Sequence, residues 1–383
     1  MMINIMEMVV IQPSIGLHGE ANHCFVAVCE GLGNLFACSS VSRGVAIEVG
    51  FFERCLQEIE RFHEKLRLKF QTNNFNKEST ITDDCESQIQ PILSLTSLIT
   101  NMISGNTGSK VHAASSMLAK IMTHLWSWTN NSNKMLVVLM ELVATYTAHC
   151  EQACTSITTN HPGHPSVLSS VLQTCRDVQT LVLSRSKTKP GFIRLVFNIL
   201  VNVSISGECR ALMWKTNLLE LFPATADRGQ HPKRSKQQTI LLECWLSFMY
   251  ALSFHTDGQL NILKLRDIFD VLVELFKSKT NAQLTLNIIR NLCFHSPSKN
   301  RISSNDSVVD VLLSNLDNKQ TRMDSSIALL TLLCNNQKAK VHLKGAGLGK
   351  RVQNSLDKLS LEGWEGEEKY KRCLEDVLVI MTG

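Results

Sequence analysis

The side chains best suited to bind a metal ion lie together near the middle of the chain. Cys150 and Cys154 are four residues apart, which places both thiols on one face of a helix, and His149, His161 and His164 lie close by in sequence. Two thiolates and two imidazoles are a ligand set that zinc accepts, but structural zinc sites usually pair their cysteines as C-x-x-C. The chain contains no such pair. We therefore favour a buried thiol pair beside a solvated turn and predict no metal site.

The segment 345–350 reads Gly-Ala-Gly-Leu-Gly-Lys and resembles a phosphate-binding loop. That motif needs a Gly five residues before its Gly-Lys pair, and a Ser or Thr after the Lys. Lys344 and Arg351 hold those places here, and no β-strand is predicted before the segment. No Gly-x-Ser-x-Gly nucleophile motif and no informative His/Asp/Ser spacing occurs elsewhere. We expect a turn between helices, no catalytic residue, no cofactor and no enzymatic activity.

The densest positive charge lies in residues 228–236, which include Lys233, Arg234 and Lys236. Such a cluster could contact RNA, an acidic partner, tubulin tails or a nuclear importer. No aromatic residue interleaves with it, so base stacking is not supported. The net charge of 39 − 34 = +5 is also too small to predict nucleic-acid binding. We favour a solvated loop between repeats and predict no nucleic-acid partner.

Trp126 and Asn130 match the W-x-x-x-N spacing with which importin-type armadillo grooves hold extended peptides. Such a groove needs a ladder of these pairs in successive repeats. Trp214 and Trp245 have no Asn at the fourth position. The single match favours a helix end with its Trp packed inward.

Composition is typical of a globular protein of a reducing compartment. Of the 383 residues, 44% are hydrophobic, enough to exclude disorder over most of the length. Thirteen cysteines occur singly, as expected for buried thiols in the cytosol. Residues 1–10 lack Lys and Arg, so they make a poor secretory signal, and no window reaches the roughly 18 apolar residues of a membrane span.

In the C-terminal half, apolar residues recur with a period of 40 residues. Leu252, Leu292 and Leu332 each lie at the end of an apolar helical stretch and are followed by a polar break. Ile262 and Ile302 follow the first two leucines by ten residues, and His342 with its apolar neighbours follows the third. Phe276, Leu316 and Leu356 come 24 residues after the leucines. A unit of two long helices and one short helix cannot bury its own apolar faces, so neighbouring units must stack.

This period is typical of armadillo and HEAT repeats, with a non-repetitive helical bundle as the alternative. We predict an all-α fold, an armadillo/HEAT-like α-solenoid of stacked repeats. Its three parts are an N-terminal repeat region at 1–70, helical hairpins with exposed loops at 71–190, and repeats of about 40 residues at 191–383. The expected helices in the less regular part are 89–103, 111–128, 134–154, 167–184 and 367–382, and the expected exposed loops are 71–88, 156–166 and 224–238.

Several stretches resemble the C-terminal part of the rotatin family, very large armadillo-like proteins of centrioles and ciliary basal bodies. They are residues 51–59, 121–128, 146–148, 244–253 and 336–340, in the same order. The resemblance implies a non-enzymatic scaffold in centriole assembly and cilium formation, with a part in left-right axis specification. It also implies centriolar and basal-body protein partners and a place in the cytoplasm and cytoskeleton, at the centrosome, the centriole and the cilium basal body.

The chain is far shorter than members of that family and opens mid-array, with an apolar stretch at residues 1–11 that lacks a capping pattern. A solenoid that begins within an array exposes the apolar face of its first repeat. We therefore expect self-association through this uncapped repeat.

Two surfaces are candidates for binding a partner. In the scaffold hypothesis, the exposed residues of the last helix of each unit contact it: Asp270, Glu274, Asp310, Asn315, Lys350, Arg351 and Asn354. In the alternative, an armadillo-type cytosolic adaptor, peptide cargo binds the basic residues Lys233, Arg234 and Lys236 or the Trp126/Asn130 pair.

Overall fold

The structure, a computed structural model, describes residues 20–72, 83–226, 234–362 and 367–382. These residues form 22 α-helices and two short 3-10 helices, with no β-strand among them. The prediction of an all-α fold is confirmed.

Eleven helices occupy the first part of the described chain, in the order α1 Glu20–Cys38, α2 Ser40–Glu48, α3 Phe51–Thr72, α4 Asp83–Ile103, α5 Thr107–Ala114, α6 Leu118–Trp126, α7 Asn133–Thr147, α8 Glu151–Ser156, α9 Val167–Leu183, α10 Pro190–Val203 and α11 Gly207–Lys215. After a 3-10 turn at Leu218–Leu221, the other eleven are α12 Phe222–Ala226, α13 Lys236–Leu252, α14 Thr256–Lys264, α15 Ile268–Phe276, α16 Ala282–Leu292, α17 Lys299–Ser303, α18 Asp306–Ser314, α19 Arg322–Leu333, α20 Gln337–Gly345, α21 Leu348–Glu362 and α22 Glu368–Thr382.

The helices follow a repeating order of three, which we call the first, second and third helix of a repeat. The first is short, as in α14, α17 and α20, and each third helix packs on the third helix of the next repeat. This stacking runs through α1, α4 and α7, and separately through α13, α16, α19 and α22. Each repeat thus buries its apolar faces against its neighbours.

The 40-residue period corresponds to buried positions of the third helices. Leu252 and Leu332 are fully buried and Leu292 is 1% exposed. Ile262 and Ile302, ten residues after the first two leucines, are also fully buried, in the first helices α14 and α17. The predicted repeat is therefore a packing unit.

Two of the predicted helices are each divided into two helices in the structure, so these two predictions are wrong. The segment 111–128 contains the end of α5 and all of α6, with a turn at 115–117 in which the Leu118 amide donates to Ser116 Oγ (3.1 Å). The segment 134–154 divides between α7 and α8 at His149, whose φ of 56° turns the chain. A left-handed residue cannot continue a right-handed helix.

Two predicted loops are shorter than expected. Helix α3 continues to Thr72 and α4 begins at Asp83, so only 73–82 of the loop 71–88 lies outside the described residues. Helices α12 and α13 likewise cover 224–226 and 236–238 of the loop 224–238, and 227–233 lie outside the described residues. The connection 157–166 contains no helix, as predicted. Residues 1–11, from which we expect self-association, also lie outside the described part.

Internal contacts divide the chain into two compact units. The first comprises Met1–Val178 and Gly191–Met213, and the second comprises Gln179–Pro190 and Trp214–Gly383. The predicted boundaries at residues 70 and 190 stay a prediction.

Among the described residues, no single helix is both long and apolar enough to cross a membrane. Two bent helix pairs, His23–Cys38 with Ser40–Glu48 and Pro190–Val203 with Gly207–Lys215, reach that length and composition together.

Candidate functional site

Two of the predicted partner-binding residues, Asp270 and Glu274, line one cavity of the second unit. It has a volume of about 600 Å³ and is lined by Pro223, Ala224, Ala226, Arg266, Asp267, Asp270, Val271 and Glu274. Glu274 Oε2 also lies 2.7 Å from Nζ of Lys277, which directly follows α15.

The cavity combines an apolar wall with carboxylates. Helix α12 contributes small apolar side chains, whereas α15 contributes Asp270 in its first turn and Glu274 one turn later. A carboxylate in the first turn of a helix is stabilised by the helix dipole. Such a surface suits a Lys or Arg side chain, whose methylene groups pack on apolar atoms while its charge meets the carboxylates.

One of the predicted basic residues, Arg234, contacts a residue of this cavity. The Arg234 guanidinium donates to the carbonyl of Ala226, which lines the cavity. Lys236 is exposed at the start of α13, where Ser235 and Gln238 form a capping box. Lys233 lies outside the described residues. A capped helix therefore begins where the sequence predicted a loop.

A second group of predicted residues lies on α18 and α21. Asp310, Lys350, Arg351 and Asn354 are all exposed, and Arg351 Nε lies 3.4 Å from the carbonyl oxygen of Leu313 at the end of α18.

The prediction that Asn315 is exposed is wrong. Its side chain is buried, its Nδ2 donates to the Val311 carbonyl (2.8 Å), and its Oδ1 accepts from Thr321 Oγ1 (3.0 Å). Since both ends of the amide are satisfied inside the protein, Asn315 shapes the turn between α18 and α19.

Asp317, which follows Asn315 in the same turn, was not predicted as a site residue. Asp317 accepts from Ser355 Oγ (2.7 Å) and pairs with Lys358 Nζ (2.6 Å), both on α21. Burial alone would raise the pKa of this carboxyl, but the hydrogen bonds from Lys358 and Ser355 outweigh it and lower the pKa. Ser355 and Lys358 follow Asp317 by 38 and 41 positions, so no local motif indicates that the three side chains meet.

The cysteines of the possible zinc site are buried thiols. Cys154 Sγ lies 3.4 Å from the Thr147 carbonyl, and burial raises the pKa of this thiol to about 12. His161 and His164 pair with each other across a turn, as predicted. In the described part of the chain, no three His, Cys, Asp or Glu side chains are arranged to hold a metal ion.

The glycine-rich segment is a turn between two helices, as predicted. Helix α20 ends at Gly345, α21 begins at Leu348, and Gly347 has a φ of 81°.

Trp126 is half-buried at the end of α6, and the buried indole of this segment is that of Trp128. Trp128 Nε1 donates to His63 Nδ1 (2.9 Å), and the His63 ring stacks on that of His124, with centroids 5.5 Å apart. His124 Nδ1 in turn lies 3.2 Å from Glu60 Oε2. These contacts join positions about 60 residues apart, so no local sequence pattern indicates them.

Comparison with known proteins shows similarity to rotatin. The chain is 26% identical to mouse rotatin over 375 residues and to human rotatin over 368 residues, covering 91% and 92% of this chain. A Drosophila melanogaster rotatin homologue is 22% identical over 79% of the chain. The predicted resemblance to rotatin is therefore confirmed, and no protein-family model matches the chain.

The chain spans about 16% of the length of the mouse and human relatives. Among solved structures, one from a study of a phosphorylation switch that controls the interaction between cadherin and beta-catenin is similar, with a TM-score of 0.51 and 8% identity. The match covers 99% of this chain and 78% of that one, and it shows the fold alone. The predicted armadillo-like class is confirmed, and the chain is a helical-repeat protein similar to rotatin.

Proposed function

We propose that this chain is a non-enzymatic scaffold that binds other proteins in centriole and basal-body assembly and in cilium formation, with a part in left-right axis specification. The observation that carries the proposal is the similarity to rotatin over 91% of the chain. The proposed location is the cytoplasm and cytoskeleton, at the centrosome, the centriole and the cilium basal body.

Within this function, the second helices α15, α18 and α21 contact the partner. These are the helices that the sequence analysis placed last in each unit. Asp270 and Glu274 receive a basic side chain in the cavity beside α12, while Asp310, Lys350, Arg351 and Asn354 contribute polar contacts. Stacked repeats present such residues at regular intervals, as a protein-binding surface requires.

The test is the location of the tagged chain in ciliated, dividing cells stained for centrioles. We expect discrete centriolar or basal-body foci, and fewer of them with Asp270→Lys and Glu274→Lys together. Val41→Ser, an exposed position of the first unit, is the matched control. Diffuse cytosolic signal from the unaltered chain would contradict targeting by this chain.

The adaptor hypothesis predicts a different result. Reversing the charges of Lys233, Arg234 and Lys236 would abolish cargo binding and leave centriolar foci intact if the basic residues hold cargo. Under the scaffold proposal, this triple variant binds its centriolar partners as the unaltered chain does.

A further inference from the structure

Two phenylalanines occupy equivalent, exposed positions in consecutive repeats of the second unit. Phe254 and Phe294 each follow the last residue of a third helix by two positions, and their exposed fractions are 59% and 56%. A single exposed apolar side chain is ordinary in a folded protein. The same large aromatic at the same corner of two stacked repeats indicates a surface.

Hydrogen bonds hold the two corners against each other. Gln259 Nε2 donates to the carbonyls of Ser253 (2.8 Å) and Asn291 (3.1 Å), and Asn291 Nδ2 donates to Ser253 Oγ (2.9 Å). The Phe254 ring also packs edge-on against Tyr250, with centroids 4.8 Å apart. Both rings therefore extend from an ordered backbone, which lowers the entropy lost when a partner binds.

Further exposed apolar side chains lie on the first helices beside these corners. Leu260 of α14 is 42% exposed, Val341 of α20 is 66% exposed, and Cys334 occupies the third corner, two residues after Leu332. We call these five side chains the corner edge: Phe254, Leu260, Phe294, Cys334 and Val341.

The corner edge lies in strongly basic surroundings. The corners and first helices of the three repeats cover 252–265, 293–304 and 333–346, and they contain six basic residues but one acidic residue. The six are Lys264, Lys299, Arg301, Lys338, Lys340 and Lys344. The whole chain, in contrast, is nearly balanced at 39 basic and 34 acidic residues.

Two carboxylates approach this edge, and each contacts a neighbouring side chain. Asp257 accepts from Trp214 Nε1 (3.0 Å), and Asp306 lies 3.2 Å from His342 Nε2. The second helices α15 and α18 have the opposite character, because Asp and Glu are their only charged residues. Charge is thus separated between the corner edge and the helices α15 and α18, and the corner edge favours an acidic partner.

We propose that the corner edge binds an acidic amphipathic helix of another protein. Its apolar side chains would pack on Phe254, Phe294 and their aliphatic neighbours, and its carboxylates would pair with the surrounding lysines. Aromatic anchors within a charged rim are the usual composition of such an interface. The inference rests on the proposed scaffold function and specifies the chemistry of a partner, on a surface other than α15, α18 and α21.

Spacing favours a helix over an extended strand. Packed helices of neighbouring repeats lie about 8–10 Å apart. Side chains seven residues apart on a helix are separated by about 10.5 Å and share one face. In a strand, side chains on one face recur at about 6.7 Å and 13 Å, which fit this interval poorly.

The aliphatic side chains disfavour single-stranded nucleic acid. Bases stack on aromatic rings, so a nucleic acid would use Phe254 and Phe294 and leave Leu260 and Val341 without a role. An apolar helix face contacts all four.

The test uses the purified full chain and a fluorescein-labelled synthetic peptide of about three heptads, with Leu at the a and d positions and Glu elsewhere. Fluorescence anisotropy should show saturable binding that weakens as salt rises. Phe254→Ser with Phe294→Ser should weaken binding at least tenfold, and Lys338→Glu, Lys340→Glu and Lys344→Glu together should do the same.

Two matched controls should bind as the unaltered chain does. Val41→Ser with Val45→Ser removes exposed apolar side chains from the first unit, and Lys187→Glu with Lys189→Glu reverses exposed charges in the second. Circular dichroism on every variant separates lost binding from lost folding.

Cys334 provides a readout that needs no substitution. Saturating peptide should slow its alkylation by iodoacetamide at least fivefold, while Cys24 and Cys38, exposed in the first unit, should react unchanged.

Three results would each overturn the proposal: no binding of the peptide, equal losses of binding in the control and edge variants, or unchanged alkylation of Cys334. Binding of phosphatidylserine vesicles or of oligothymidylate in place of the peptide would overturn it too, in favour of a membrane or a nucleic acid. Loss of centriolar foci in cells changes none of these measurements, so the two proposals fail separately.

Discussion

His63 lies among groups that favour its neutral form. Burial and the neighbouring His124 lower the pKa of His63 below its ordinary value of 6.5, and its Nδ1 accepts a hydrogen bond from Trp128 that a proton there would abolish. Because the unfolded chain takes up this proton first, stability is fully present above pH 6.5 and falls as pH decreases below it. We expect the free energy of unfolding to fall between pH 7.5 and 5.5, by at most about 1.4 kcal/mol per pH unit for this one proton.

Urea unfolding at several pH values measures this slope. His63→Gln keeps an acceptor for the Trp128 indole and removes the titration, so its slope should be smaller. His23→Gln, at an exposed position of α1, should keep the slope of the unaltered chain. An identical slope in His63→Gln would contradict the assignment.

Glu60 affects stability only at more acidic pH. Burial alone would raise the pKa of its carboxyl, but hydrogen bonding to His124 and the nearby charges outweigh burial and lower the pKa below 4.5. The stabilisation that Glu60 contributes is therefore lost as pH falls through that lower pKa.

The thiols fall into two classes that chemical labelling separates. Burial raises the pKa of Cys29, Cys154 and Cys293 to about 12, so these thiols stay protonated and shielded, whereas the described thiols Cys24, Cys38 and Cys334 are exposed. Brief treatment of the native chain with iodoacetamide at neutral pH should label the exposed three, as read by mass spectrometry of tryptic peptides. Labelling in urea should reach the buried ones. Native labelling of Cys293 as fast as Cys334 would show that the third helix α16 opens readily.

At the scale of an element, the turn from a third helix into the next first helix leaves no room for a side chain at Gly258. A Cβ built there would lie 2.1 Å from the Leu252 carbonyl oxygen, a backbone atom that cannot move independently. Gly258→Ala should therefore lower the free energy of unfolding by about 2–3 kcal/mol.

Gly349 in α21 is the matched control, because a Cβ there meets nothing within 4 Å. Gly349→Ala should raise stability by about 0.5–1 kcal/mol, since alanine restricts the unfolded chain and favours a helix. Thermal unfolding followed by circular dichroism compares the two. Equal effects of the two substitutions would mean that the corner at Gly258 is looser than described.

The same corners explain which elements could be predicted from the sequence. Apolar periodicity predicted the helix 89–103, which ends before Gly105, and the helix 167–184, which begins after Pro165, and the leucines at 252, 292 and 332 revealed the repeat. Several turns instead use non-glycine residues at positive φ, among them His149, Asn217 and Asp267. A single His carries no turn signal in the sequence, so the helices before and after His149 were predicted as one.

The candidate surfaces could also be predicted from the sequence only in part. Asp270 and Glu274 could be placed on one helix face from their spacing of four. Their meeting with Ala226 in one cavity depends on stacking between repeats, which no local pattern specifies. The pair Phe254 and Phe294 did have a signal, because Phe-His occurs in the first two polar breaks, 40 residues apart. That both rings are exposed, however, follows only from the packing of the corner in the structure.

At the scale of the whole molecule, stacked repeats predict that one period can be removed without loss of the fold. Residues 293–332 form one period of 40 residues, and their deletion joins Leu292 to Leu333 at the same point of the repeat. Helices α20, α21 and α22 would then follow α16 in the order that α17, α18 and α19 follow it now. Because each repeat contacts only its neighbours, we expect unchanged helix content per residue and cooperative unfolding at a lower temperature.

A deletion of half a period, residues 293–312, is the matched control. It joins a third helix to the end of a second helix, so apolar faces meet out of phase and side chains that now pack between repeats become exposed. This variant, although it loses fewer residues, should aggregate or unfold without a cooperative transition. Circular dichroism melting and sedimentation compare the two deletions. If the half-period deletion is as well folded as the full-period one, the 40-residue repeat is not the unit of packing, and the surfaces derived from equivalent positions lose their basis.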